Sequence, residues 1–280
     1  MTLIIGKRSN LSNKISEQFN DCVLISSSEI ENNLDSLLKY CQDNRVNVIL
    51  NNFQASTFLN DNQDFDNYIT KSILNTSRIL SFFISNNIII NKLIYTSSSS
   101  VYGNNKFCSE NDQVKPMNLQ GALKVSNEEL IKRICKEYKI NYTIARVFNM
   151  YGGDDKFSII NKIKNCYLSN KALNIINGGK AIRDYIYIDD VVNVYKNLIY
   201  TVDNLPNILN IANGNGRRVI DFLSILKSAG IVLEINNIQN DEISVSIADI
   251  TLLNEIIDIN NFTDVETFLI NELKIDENYN

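Results

Sequence analysis

The sequence predicts an α/β protein built on a doubly wound parallel sheet, with a smaller α/β lobe in its C-terminal part. Three observations support this fold class. Short apolar runs rich in β-branched residues recur along the first half, apolar residues at helical spacing lie between them, and the alternation loosens after about residue 150. Apolar runs that alternate with helical segments are typical of parallel strands buried on both faces.

Five runs are the predicted strands. They are TLIIG (2–6), CVLIS (22–26), VNVILN (46–51), KLIYTS (92–97) and YTIARV (142–147). The segments between them that show helical spacing lie at 34–41, 73–83 and 130–138. We therefore expect a main domain over residues 1–150 and a lobe over 151–280, with elements at about 181–205 returning to the main domain. Ligands of such sheets bind at the carboxyl ends of the strands.

The composition excludes several classes of function. A net charge of −5 argues against a nucleic-acid surface, and no apolar run approaches the ~20 residues that a membrane span needs. The chain has no histidine, which excludes Ser-His catalysis and His-ligated metals. Its five cysteines are odd in number and scattered, a pattern that favours reduced thiols over a disulfide framework. We expect a cytoplasmic protein with no signal peptide and no metal site.

The stretch IIGKRSNLSNKI (4–15) has the pattern of a strand, a turn and the start of a helix. In dinucleotide-binding proteins this turn carries three glycines, which let the backbone approach a pyrophosphate at the helix N-terminus. Here the three positions hold Gly6, Ser9 and Ser12. Serine is small and caps helices, so an ordinary turn and a cofactor loop both stay open. The candidate cofactor contacts in this loop are Gly6, Arg8, Ser9, Asn10 and Leu11.

Arg8 bears on which cofactor such a loop would bind. A guanidinium can hold the 2′-phosphate of adenosine with two parallel hydrogen bonds. The second strand ends in LISSSEI (24–30), without an acidic residue at its tip to bind a ribose 2′-hydroxyl. These features favour NADP(H) over NAD(H), and the alternative is that Arg8 is a solvated turn residue.

Four blocks in the middle of the chain are more specific. They are KLIYTSSSSVYG (92–103), GALK (121–124), ARVFNMYGG (145–153) and INGGKAIRDYIYIDDVV (176–192), in that order. With these blocks the chain resembles the extended short-chain dehydrogenase/reductase family, and within it the nucleotide-sugar epimerases, dehydratases and reductases. The resemblance spans about residues 1–215. It implies a Rossmann-like dinucleotide-binding domain, a substrate-binding lobe and a nucleotide sugar as substrate.

The resemblance also implies roles for individual residues. Ser98 matches the family's residue that hydrogen-bonds the reacting sugar oxygen, and Lys124 matches the lysine that holds the nicotinamide ribose. Arg183 matches the arginine that pairs with the diphosphate, since a planar guanidinium fits phosphate oxygens. Each residue could instead be structural, as a strand end, an exposed helix lysine or a surface ion pair. The candidate substrate contacts are Ser99, Tyr102, Asn149 and Arg183.

Gln120 stands where the family carries its catalytic tyrosine. Residues 120 and 124 lie one helical turn apart on the same face, but an amide cannot donate and recover a proton near neutral pH. The loss of a general acid typically costs about 10²–10⁴-fold in rate. Ser99 and Ser100 replace the Asp-Glu pair of the family's 4,6-dehydratases, which argues against dehydration.

Three interpretations of Gln120 stay open. Ser98, a water or a tyrosine such as Tyr102 supplies the proton; or the substrate brings unusual chemistry; or the protein is a non-catalytic relative that binds a sugar nucleotide or serves as a partner subunit.

We expect an NAD(P)-dependent reductase or epimerase of a nucleotide-linked 4-keto sugar, closest to the 4-keto-6-deoxy reductases. Its catalytic residues are then Ser98, Gln120 and Lys124. The resemblance also implies a homodimer and a role in polysaccharide biosynthesis.

Overall fold

The computed structural model describes residues 1–51, 65–201 and 205–277. The chain divides into two compact units. The first unit consists of Met1–Gly103, Gln113–Arg146 and Val192–Leu209. The second unit consists of Asn104–Asp112, Val147–Val191 and Asn210–Asn280.

Strands and helices alternate through most of the described residues. The strands are β1 (Thr2–Ile5), β2 (Cys22–Ile25), β3 (Arg45–Leu50), β4 (Ile89–Ser98), β5 (Phe107–Cys108), β6 (Tyr142–Val147), β7 (Asn149–Tyr151), β8 (Leu173–Ile176), β9 (Ile182–Tyr187), β10 (Ile208–Ile211), β11 (Gly216–Arg218), β12 (Ile235–Ile238) and β13 (Val245–Ala248). The α-helices are α1 (Asn10–Gln18), α2 (Ser27–Asn32), α3 (Phe65–Ile69), α4 (Asn75–Ser85), α5 (Leu119–Tyr138), α6 (Ile159–Leu168), α7 (Ile188–Tyr200), α8 (Val219–Ser228), α9 (Thr251–Ile256) and α10 (Val265–Glu277). A π-helical segment, Thr70–Leu74, joins α3 to α4.

A six-stranded sheet of the described residues forms the centre of the first unit, in the order β10-β6-β4-β3-β1-β2. β1 runs parallel to both β2 and β3, and β3 runs parallel to β4. The chain thus goes from β1 to β2 on one side and returns to β3 on the other, which makes β1 and β3 the switch point of a doubly wound sheet. This is a Rossmann-like fold, as predicted, and ligands of such sheets bind outside the carboxyl ends of the strands at the switch point.

The five predicted strands correspond to β1, β2, β3, β4 and β6. Their apolar side chains are buried because helices cover the sheet: all four residues of β1 are buried, and the core includes Leu3, Val48 and Leu93. The predicted helical segment at 34–41 is a 3₁₀-helix, Leu34–Tyr40. In that helix every third residue aligns, so Leu37 is fully buried while Leu38 is 39% exposed.

A buried ion pair links helix α5 to the sheet. Arg146 of β6 donates from Nη2 to Glu128 Oε2 at 2.7 Å and from Nε to Oε1 at 3.2 Å, and both side chains are at most 2% exposed. Ser97 of β4 donates its hydroxyl to Glu128 Oε1 at 2.5 Å. The guanidinium of Arg146 also lies over the ring of Tyr102, at 4.8 Å from its centroid. This Arg146–Glu128 network joins β4, β6 and α5.

The second unit contains a sheet in the order β11-β9-β13-β5, with β7 also paired to β9. β9 is parallel to β7 and β13 and antiparallel to β11. The carboxylate of Asp184, on β9, accepts the backbone N–H groups of Asn213, Gly214 and Ala248 at 2.9–3.2 Å. Burial raises the pKa of Asp184 to about 6, against the opposing effect of these three hydrogen bonds. Asp184 therefore fixes the loop after β10 and the end of β13 to β9.

No helix in the described ranges is long and apolar enough to cross a bilayer. Within the same ranges, no three His, Cys, Asp or Glu side chains cluster in a way that suits a metal ion. The five cysteines all lie in described segments and form no disulfide bond.

We expect the substitution Arg146→Met to lower the free energy of unfolding by about 3–5 kcal/mol, because it leaves Glu128 buried without its counter-charge. Lys132→Met is the matched control. Lys132 lies on the same helix α5 and pairs at 2.8 Å with Glu129, which is 55% exposed, and an exposed pair contributes only about 0.2–1 kcal/mol. Urea unfolding of both variants measures the difference. Equal losses in the two variants would contradict a stabilising role for the buried pair.

Candidate functional site

The turn between β1 and α1 lies at the switch point of the sheet. Gly6 has a φ of +116°, a backbone conformation that favours glycine. Ser9 is the N-cap of α1, and its hydroxyl accepts the backbone N–H of Ser12 at 3.4 Å. The backbone N–H groups of the first turn of α1 therefore point toward the carboxyl edge of the sheet, where an anion can bind.

Asn51, which directly follows β3, holds the two serines that replace glycines in this turn. Its amide Nδ2 donates to Ser9 Oγ at 2.8 Å and to Ser12 Oγ at 2.9 Å. Ser12 is fully buried and Asn51 is 7% exposed. The hydroxyls thus have a polar partner inside the fold, and the turn stays compact without the second and third glycines. The loop fits a dinucleotide pyrophosphate on these grounds.

The charged residues around this turn are either exposed to solvent or hydrogen-bonded to their own helix. Lys7 and Arg8 are exposed. After β2, Ser26 and Glu29 form a capping box at the start of α2, in which the Glu29 carboxylate accepts Ser26 N–H at 2.8 Å and Ser26 Oγ–H at 2.7 Å. These hydrogen bonds lower the pKa of Glu29, and the charge of Lys7 acts in the same direction. The first acidic residue after β2 is therefore bound to its own helix start.

Helix α5 carries Gln120 and Lys124 one turn apart. Asn118 caps the helix, since its Oδ1 accepts the backbone N–H of Gly121 at 2.8 Å. A Cβ at Gly121 would lie 2.8 Å from the carbonyl oxygen of Ser100. Glycine at this position therefore lets the start of α5 approach the turn at 99–102, and places Gln120 beside that turn.

Lys124 is a buried cation at the carboxyl end of β4. Its side chain is 4% exposed, and Nζ donates to the backbone oxygen of Thr96 at 2.5 Å. Nζ also lies 5.1 Å from the ring centroid of Tyr95. Burial lowers the pKa of Lys124 to about 7, although the nearby Glu128 carboxylate acts to raise it. The amine can therefore gain or lose a proton near neutral pH.

The four serines after β4 differ in their environments. Ser97 is buried and bonded to Glu128, whereas Ser98 and Ser99 are partly exposed. Ser98 Oγ accepts the backbone N–H of Ser100 at 3.2 Å, a bond that does not use its own hydroxyl proton. Tyr102 is 1% exposed and hydrogen-bonds Arg146. Its place is within the Arg146–Glu128 network, and a contact between Tyr102 and substrate stays a prediction.

In the second unit the structure brings Asn149 and Arg183 onto the neighbouring strands β7 and β9. Asn149 Nδ2 donates to the backbone oxygen of Asp184 at 2.8 Å. Arg183 donates from Nη1 to the backbone oxygen of Ile182 at 2.9 Å, and its Nη2 lies 3.4 Å from Glu242 Oε2. The Arg183 side chain is 20% exposed, so part of the guanidinium faces solvent.

Arg217 lies directly opposite Arg183 in the antiparallel register of β11 and β9. Directly opposed residues in such a pair project from the same face of the sheet. The Nε of Arg217 is 3.1 Å from Glu266 Oε1, and its side chain is 29% exposed. Two guanidinium groups thus share one face, Arg183 beside Glu242 and Arg217 beside Glu266, which is an arrangement suited to an anion with several oxygens.

Four of the residues described above were not predicted from the sequence: Asn51, Glu128, Arg146 and Arg217. One signal was present for the ion pair: Arg146 occupies a strand predicted to be buried on both faces, where a charge needs a partner. Glu128 follows Lys124 by one helical turn on the same face. The doublet Arg217–Arg218 stands just before a helix, but nothing in the sequence pairs it with Arg183.

Comparison with known proteins decides the family. Residues 12–212 match the model of the NAD dependent epimerase/dehydratase family. The chain belongs to this family. This confirms the resemblance that the four blocks predicted.

Curated relatives match over part of their length. The chain is 29% identical to the ADP-L-glycero-D-manno-heptose-6-epimerase of Brachyspira hyodysenteriae over 211 residues, which are 70% of this chain and 63% of that protein. It is 31% identical to the protein CapI of Staphylococcus aureus over 172 residues, 60% of this chain and 51% of that protein. The chain therefore spans about half to two thirds of the length of these two relatives.

Solved structures of the same fold cover nearly the whole chain. MoeE5 in complex with UDP-glucuronic acid and NAD matches with a TM-score of 0.84 and 18% identity, over 98% of this chain and 99% of that chain. The UDP-glucuronic acid 4-epimerase from Bacillus cereus, in complex with UDP-glucuronic acid and NAD, matches with a TM-score of 0.79 and 20% identity over all of both chains. At these identities the similarity shows the fold.

We expect Ser12→Ala and Asn51→Ala to be coupled, because each removes one end of the same buried hydrogen bond. A double-mutant cycle measured by urea unfolding should give an interaction energy of about 0.5–3 kcal/mol. The control cycle combines Asn51→Ala with Ser16→Ala, since Ser16 lies on the same helix α1 but donates to Asn13 O. The control should be additive within about 0.5 kcal/mol. An additive result for Ser12 as well would show that the hydrogen bond from the Asn51 amide does not stabilise the serine at this position of the turn.

Proposed function

We propose that the protein is an NAD(P)-dependent epimerase or reductase of a nucleotide-linked sugar, acting by hydride transfer. The observation that carries the proposal is the position of Lys124. Its Nζ is bonded to the backbone oxygen of Thr96, two residues before Ser98 at the carboxyl end of β4, and Gln120 lies one helical turn away. Membership of the NAD dependent epimerase/dehydratase family supports it. Reduction of a 4-keto-6-deoxy sugar is the finer form of this proposal.

The loop from Gly6 to Leu11, with Arg8, Ser9 and Asn10, would hold the dinucleotide pyrophosphate, and Lys124 would hold the nicotinamide ribose. When bound, the nicotinamide accepts or supplies a hydride. We propose NADP(H) in preference to NAD(H). The support is that Lys7 and Arg8 are exposed beside the turn, while Glu29 is engaged in its capping box.

Arg183 and Arg217 would bind the diphosphate of the nucleotide sugar. Two like charges on directly opposed residues of neighbouring strands repel each other, and an anion between them removes that repulsion. Each guanidinium has five N–H donors in a planar fork, which is more than one carboxylate can accept. MoeE5 and the Bacillus cereus epimerase, which share the fold, were both solved with UDP-glucuronic acid.

Within the reaction, Ser98 would donate its hydroxyl proton in a hydrogen bond to the reacting sugar oxygen. Gln120 would donate a hydrogen bond from its amide to the sugar, and Ser99 and Asn149 would contact the substrate.

A second candidate function is a non-catalytic subunit that binds a sugar nucleotide, and Gln120 is the observation that favours it. A homodimer, a cytoplasmic location and a role in polysaccharide biosynthesis are further parts of the proposal, based on the family resemblance.

We expect NADPH and a UDP-hexose each to raise the melting temperature, because both ligands bind the folded protein. Calorimetric titration should show that Arg183→Met weakens UDP-hexose binding by about 10- to 100-fold, since it removes charged hydrogen bonds worth about 1.5–3 kcal/mol. NADPH binding should not change. Arg218→Met is the control, because Arg218 is exposed and pairs with Asp221 three residues away. Failure of both NADPH and NADH to bind would refute the oxidoreductase proposal.

A further inference from the structure

Resting on the proposed function, we propose that Lys124 itself exchanges the proton with the reacting sugar hydroxyl, in the role that Gln120 cannot perform. The proposal adds a chemical step to a lysine whose expected task is to hold the cofactor. It concerns one atom, Nζ of Lys124, and the groups that surround it.

The position of Nζ is fixed by the end of β4. Thr96, whose backbone oxygen accepts from Nζ, is itself held by a hydrogen bond of 2.8 Å between its Oγ1 and the hydroxyl of Tyr195 on α7. Nζ therefore lies beside the carboxyl end of β4, at a backbone oxygen two residues before Ser98. On α5, Lys124 is one helical turn from Gln120 on the same side of the helix.

The carboxylate near Lys124 is shared with other hydrogen-bond donors. Glu128, one turn further along α5, is the carboxylate that acts on it. Both oxygens of Glu128 accept from Arg146, and Oε1 also accepts from Ser97, so the charge of Glu128 is largely neutralised by the guanidinium. Glu128 therefore offsets only part of the effect of burial on the pKa of Lys124.

Among the described residues, the other titratable side chains near Lys124 are tyrosines. Tyr95 of β4 lies beneath Nζ, and burial raises its pKa well above the ordinary value. Tyr68 of α3 packs against Leu123 of α5, and burial raises its pKa as well. Tyr102 of the turn at 99–102 is bonded to Arg146. With burial lowering the pKa of Lys124 to about 7, the amine and the ammonium are both available at neutral pH.

The proton and electron changes balance in both directions. In oxidation of the sugar, the neutral amine of Lys124 would take the hydroxyl proton, while the carbon would lose its hydride to a bound oxidised dinucleotide and become a carbonyl carbon. In reduction, the carbonyl carbon would gain a hydride from a bound reduced dinucleotide, and the ammonium of Lys124 would return its proton to the oxygen. Gln120 keeps its protons throughout and contributes only a hydrogen bond.

The first test is direct titration of the lysine without any ligand. In protein labelled with ¹³Cε-lysine, the Lys124 resonance is assigned from its loss in Lys124→Arg or, if that variant does not fold, in Lys124→Gln. We expect this resonance to titrate with a pKa of about 7. The resonance of Lys132, assigned from Lys132→Arg, serves as the internal reference, since Lys132 lies on the same helix and pairs with the exposed Glu129. A Lys124 pKa above 9 would overturn the proposal.

The second test separates proton transfer from cofactor binding. Arginine keeps the positive charge but does not deprotonate near pH 7, so Lys124→Arg should lower the turnover rate by about 10²–10⁴-fold and abolish the pH dependence near 7. Its dinucleotide affinity should change by less than about tenfold, and Lys132→Arg should match the wild type. If Lys124→Arg turns over normally, the proposed function stands and this inference fails. If the wild type turns over no nucleotide sugar, both fail.

Discussion

The buried ion pair between Arg146 and Glu128 is the interaction on which the rest of the candidate site depends. Taking two charges out of water is costly unless geometry and further hydrogen bonds compensate. Here both oxygens of Glu128 are used, and Arg146 also packs on Tyr102. Because Arg146 is on β6, Ser97 on β4 and Glu128 on α5, the pair sets how the helix that bears Gln120 and Lys124 lies against the strand that ends at Ser98.

The same principle explains how the first turn tolerates its lost glycines. A serine hydroxyl inside the fold needs a partner, and the Asn51 amide supplies one to Ser9 and another to Ser12. The missing glycines of this motif are therefore compensated by Asn51, which follows the neighbouring strand β3. The side chain of Gln120 cannot itself replace a proton donor, because an amide does not act as an acid near neutral pH. Burial lowers the pKa of the nearby Lys124 amine to about 7.

The strands, the long helix α5 and the family were predictable because they depend on local features: apolar runs, helical spacing and motifs in a fixed order. The 3₁₀ character of Leu34–Tyr40 was not predictable, because residues three apart, such as Leu34 and Leu37, lie on one face of both an α-helix and a 3₁₀-helix. The polar partners were missed for a different reason. Glu128 and Arg146 are 18 residues apart, and Asn51 is 42 residues from Ser9, so only the folded sheet brings them together. The pairing of Arg217 with Arg183 likewise depends on strand register.

We propose that this chain moves a hydride although Gln120 stands where a tyrosine is expected. Transfer of deuterium is the measurement that decides this. The protein is incubated with oxidised dinucleotide and with nucleotide hexoses that carry deuterium on the carbon bearing the reacting hydroxyl, and the dinucleotide is then analysed by mass spectrometry. We expect deuterium in the nicotinamide ring for at least one sugar. If the protein binds both ligands and leaves the dinucleotide unlabelled with every sugar, it is not a hydride-transfer enzyme for these sugars.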